Sequence, residues 1–101
     1  MNDIITRIVT AVNPDKIILF GSHAKGNPTR ESDIDILVVM NSELPRHKRS
    51  IPLYRVLMDI PISKDIIVYT PEEIASWSGV SSAFITSAIQ SGIILYDKNS
   101  A

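Results

Sequence analysis

The chain has 101 residues, 45% of them hydrophobic and 21% charged, a balance that excludes a disordered segment and limits the fold to one globular domain. Ten basic residues face 11 acidic ones, for a formal charge of −1, so no global field is available to hold nucleic acid or an anionic membrane. Cysteine is absent, which excludes disulfide frameworks, thiolate zinc sites and thiol nucleophiles.

Ile4, Ile5, Ile8, Val9 and Val12 recur at helical spacing behind Asn2 or Asp3 as a cap, which predicts an amphipathic helix over residues 3–12 that ends at Asn13 and Pro14. This stretch mixes acid, base and apolar residues and lacks the apolar core of a signal peptide. No apolar run approaches the roughly 18 residues of a bilayer span, so a cytoplasmic protein is expected. Residues 16–20, KIILF, predict a buried strand that ends in a tight turn at Gly21, followed by a short helical turn at 22–25 and a loop. Ile34 to Met40 predicts the second strand.

The polar stretch 41–50 carries the basic cluster Arg46-His47-Lys48-Arg49, expected as a solvated face or as a dock for an acidic partner. A helix beginning near Ser50 follows, with Pro52 in its first turn and Ile51, Tyr54, Leu57 and Met58 at helical spacing. Residues 64–69, KDIIVY, predict a third strand. Thr70-Pro71-Glu72-Glu73 then supplies a cap, a proline at the first helical position and two acids on the positive end of the dipole. Ser81 or Ser82 caps a last predicted helix through Phe84, Ile85, Ala88 and Ile89, which Gly92 stops. Ile93 to Tyr96 predicts a fourth strand.

The chemistry concentrates in Gly21-Ser22, ten residues, then Asp33-Ile34-Asp35. Side chains alternate along a strand, so Asp33 and Asp35 project to one face at its entrance. Such a pair repels itself unless neutralised, and a hard divalent cation with oxygen ligands, magnesium first among them, is the common solution. For Gly21 to meet Asp33, the first two strands must run antiparallel. Gly21 permits close approach of a ligand, and the amides behind Ser22 favour a phosphate. Lys25 and Arg30, charges of the same loop, are further candidates for phosphate contact. Asp65 opens the third strand as Asp33 and Asp35 open the second; a helical crossover makes those strands parallel, so Asp65 can ligate the metal and act as general base. Asp59, at a helix end, is a weaker candidate. A phosphate cradle facing a carboxylate set fits phosphoryl or nucleotidyl transfer.

Gly21-Ser22 through Asp33-Ile34-Asp35, with the downstream Lys64-Asp65-Ile66-Ile67-Val68-Tyr69, resembles the DNA polymerase β nucleotidyltransferase superfamily and, by its size, the minimal nucleotidyltransferases within it. The resemblance implies an α+β fold, a single domain over residues 1–101 with an about four-stranded mixed sheet flanked by helices. It also implies a two-metal magnesium site on Asp33, Asp35 and Asp65, with manganese as a substitute, and a nucleoside triphosphate on Gly21 and Ser22. The expected activity is transfer of a nucleoside monophosphate, AMP from ATP, with release of pyrophosphate. Minimal members of this family include antitoxins paired with an all-helical HEPN ribonuclease, and some resemble protein adenylyltransferases that modify the toxin. The implied partner is such a toxin, in a homo- or hetero-oligomer. Two alternatives are a catalytically weak module that neutralises its toxin by occlusion and one subunit of a heteromeric transferase acting on small molecules. Where many relatives read Gly-Ser-Arg-Ala-Arg-Gly, this chain has His23 and Lys25 in place of the arginines, which lowers the expected triphosphate affinity.

Overall fold

In a computed structural model of the chain, the described residues are 2–21, 34–77 and 90–99. Chain order is α1 (Asn2–Val12), β1 (Lys16–Phe20), β2 (Ile34–Val39), a single 3₁₀ turn (Arg46–Lys48), α2 (Ile51–Val56), β3 (Lys64–Tyr69), α3 (Pro71–Trp77) and β4 (Ile93–Asp97). The strands form a four-stranded sheet in the order β3-β2-β1-β4. β1 pairs antiparallel with both β2 and β4, and β2 pairs parallel with β3, so the sheet is mixed, as expected.

Both faces of β1 and β2 are covered, which is why these strands read as unbroken apolar runs rather than alternating ones. One face carries Ile17, Leu19, Ile34, Ile36 and Val38, packed with Ile4 and Ile8 of α1 and with Leu53 and Leu57 from α2 and its end. The opposite face carries Ile18, Phe20, Leu37 and Val39, with Ile67, Tyr69 and Ile74 of α3 against them. Helix α1 stops where Asn13 takes a φ of 46°, the left-handed conformation that asparagine tolerates at a helix end. The helix predicted through Phe84 falls outside the described residues apart from positions 90 and 91, which are helical.

Helix α2 begins after Ser50 with proline in its first turn, as its sequence predicts. The preceding basic cluster is only partly a solvated face. Arg46 donates to Glu73 at 2.7 Å and lies 5.0 Å from the centre of the Tyr69 ring, while Arg49 donates to the same carboxylate at 2.6 Å. Glu73 also closes the reciprocal cap of α3: it accepts from the Thr70 amide at 2.8 Å, and its own amide donates to Thr70 Oγ1 at 3.2 Å. One carboxylate thereby ties the β2–α2 connection to α3. His47 and Lys48 remain exposed.

Burial pushes the Glu73 carboxyl up, but the Thr70 amide and the two guanidiniums outweigh it and hold the group at about 2. Replacing Glu73 by glutamine is expected to cost about 2 kcal/mol, because Arg49, with its side chain 11% exposed, loses its counter-charge. Against an ordinary value of 4.5, the lowered folded value makes this stabilisation complete above about pH 4.5 and lost as pH falls through about 2. Urea melts of wild type and Glu73→Gln should differ at neutral pH and converge in acid. A gap that stays constant down to pH 2 would show that this carboxylate is not the acid-labile link.

Candidate active site

The parallel register of β2 and β3 sets Asp35 directly beside Asp65. Side chains alternate along both strands, so Asp35 shares its face with Leu37 and Val39, and Asp65 shares that same face with Ile67 and Tyr69. The two side chains therefore leave the same face of neighbouring strands, whose backbones run about 4.8 Å apart, at the strands' amino-terminal ends. Asp35 is half-buried and Asp65 exposed.

Strand β1 brings the third component. Its last residue, Phe20, pairs with Asp35, so the chain emerges at Gly21 next to that carboxylate. Gly21 has a φ of +77°, and a Cβ placed on it would lie 2.3 Å from Asp35 Oδ2. Only glycine lets the main chain turn left-handed there and press against the carboxylate. Among the predicted site residues, the structure thus unites Gly21, Asp35 and Asp65. Ser22, Lys25, Arg30 and Asp33 lie outside the described residues, as does His23. Among the described residues no three metal-ligating side chains converge.

Asp59 does not belong to this group. It is ion-paired with Arg7, which also donates to the Val56 carbonyl at 3.2 Å and so links α1 to the end of α2. A cavity of about 410 Å³ has a lining that includes Asp15, Lys16, Ile18, Val39, Pro71 and Ile74 but does not include Asp35 or Asp65. It opens where Lys16 pairs with Val39, four rungs along the sheet from Phe20 and Asp35.

One side chain near the carboxylates had no signal in the sequence. The Tyr54 hydroxyl, from α2, accepts the Ile66 amide at 2.8 Å and lies 3.5 Å from Asp65 Oδ1. Tyr54 falls at core spacing in its helix, and only the packing of α2 against the β3 edge shows where the hydroxyl points.

The family described as polymerase beta, nucleotidyltransferase matches residues 2–101. The chain belongs to that family. The chain is 33% identical over 54 residues to a candidate protein adenylyltransferase of Methanocaldococcus jannaschii, a match covering 54% of each chain. A second candidate protein adenylyltransferase of the same organism is 75% identical over 24 residues, 24% of each chain. The matched segments thus span about half, or less, of these curated relatives. In fold, the chain is similar to a crystal structure of a candidate nucleotidyltransferase from Sulfolobus solfataricus. The TM-score is 0.67 at 21% identity, over 96% of this chain and 77% of that one. No helix among the described residues is long and apolar enough to cross a membrane.

Proposed function

We propose that this nucleotidyltransferase transfers AMP from ATP to a protein, with Asp33, Asp35 and Asp65 holding the magnesium that the reaction uses. The observation that supports this most directly is Asp35 and Asp65 standing in register on one sheet face, against the Gly21 main chain. Two carboxylates on adjacent strands suit a cation, and their all-oxygen donor set suits a hard one. Bound magnesium would offset the charge that develops on the transferring phosphoryl group. Gly21 and Ser22 are the proposed triphosphate contacts, and Lys25 and Arg30 the proposed further ones. The acceptor oxygen attacks the α-phosphorus, the bond to the bridging β-oxygen breaks, pyrophosphate leaves and the acceptor's proton passes to Asp65.

The names of the two relatives from Methanocaldococcus jannaschii support a protein acceptor and an adenylyl group. The proposed acceptor is a helical toxin of the HEPN type, which this chain would silence as its antitoxin. To test this, the protein is purified with whatever accompanies it from its own host and given magnesium and ATP labelled at the α-phosphate. ATP labelled at the γ-phosphate and an Asp33→Asn/Asp35→Asn variant serve as controls. Label from the α position alone, lost in the variant, is the expected result. A bound partner that takes no label, yet is silenced equally by the variant, would replace transfer with occlusion, the behaviour that His23 and Lys25 in place of arginines favour.

A further inference from the structure

We infer that Tyr54 is a positioning residue for Asp65: its hydroxyl is fixed by the β3 backbone and orients the neighbouring carboxylate toward the metal. This rests on the role proposed above for Asp65. Helix α2 packs on the face opposite the carboxylates, where Leu53 and Leu57 join Ile66 and Val68 in the core. Tyr54 therefore reaches the site only by passing the outer edge of the sheet, and β3 is that edge.

An edge strand in a parallel pair directs the amides of alternate residues outward. Ile66 donates in that direction, to the Tyr54 hydroxyl at 2.8 Å. The oxygen is thereby engaged as an acceptor, and its single proton remains for donation. Among the described residues, Asp65 Oδ1, at 3.5 Å, is an acceptor within reach. The phenol ring is half-buried and packs against the core, so the hydroxyl is held from both ends. A donor on one carboxylate oxygen selects the rotamer and leaves the other oxygen for a cation, the usual role of hydrogen-bonding groups behind metal ligands.

The test is a double-mutant cycle over wild type, Tyr54→Phe, Asp65→Asn and the double variant, read by manganese binding, steady-state transfer and thermal melts. Tyr54→Phe retains the ring and removes only the hydroxyl. It is expected to weaken manganese binding and lower kcat, each about tenfold, with KM for ATP within about twofold. In the Asp65→Asn background the same change should have no further effect on manganese binding. A tyrosine that merely caps the strand edge would lower the melting temperature and leave metal affinity and kcat unchanged in both backgrounds, which overturns the inference. If Asp65→Asn itself leaves metal binding and transfer intact, the role proposed for Asp65 fails, and this inference with it.

Discussion

Asp35→Asn is expected to lower nucleotidyl transfer by about a thousandfold, roughly 4 kcal/mol of transition-state stabilisation, while the fold survives. Asparagine has the shape of aspartate, so the half-buried position beside Leu37 and Val39 is filled as before. What changes is charge. The Asp35–Asp65 pair loses half its negative charge at the point where the reaction is proposed to hold a cation. In the folded protein without metal, removing one of two like charges on adjacent strands relieves repulsion. Stability should therefore change by less than about 1 kcal/mol. Transfer assays on a variant whose thermal melt matches wild type check this directly. Activity within tenfold of wild type would mean that Asp35 is not a metal ligand.

The architecture was legible because its local signals agree with its long-range contacts. The apolar runs of β1 and β2 come from burial on both faces, and the antiparallel pairing needed to join Gly21 to the second strand is the one observed. Thr70 and Glu73 announce α3 through a cap complete within four residues, so no distant contact is needed to see it. The basic cluster was harder. Its arginines are ion-paired, and Arg49 is partly buried, because Glu73, 27 residues from Arg46 and 24 from Arg49, lies within reach of both, a proximity that only tertiary packing creates. Within the site, strand alternation and a parallel crossover suffice to place Asp35 beside Asp65. Tyr54 escaped because its functional end faces away from the helix face that periodicity reports, around the edge of the sheet.

Gly21→Ala separates stability from activity in the opposite manner. The left-handed φ of +77° costs an alanine about 1 to 2 kcal/mol, a loss that urea melts should register. The added Cβ meets Asp35 Oδ2 at 2.3 Å, and relief must come from one of two movements. Rotating the Asp35 carboxylate is the cheaper, since only the tip of a side chain has to move. Displacing Gly21 instead would pull apart the end of the β1–β2 ladder, where Phe20 pairs with Asp35. Because the cheap movement takes an oxygen of the proposed metal ligand out of place, transfer should fall at least about a hundredfold, more than the stability change accounts for. The metal requirement should register the same displacement: half-maximal activity needs more magnesium in the variant, and a double variant with Asp35→Asn should lose little beyond the aspartate change alone. Full activity in Gly21→Ala, at unchanged magnesium demand, would show that the close approach of Gly21 to Asp35 is a packing detail and that the carboxylate can bind from another rotamer.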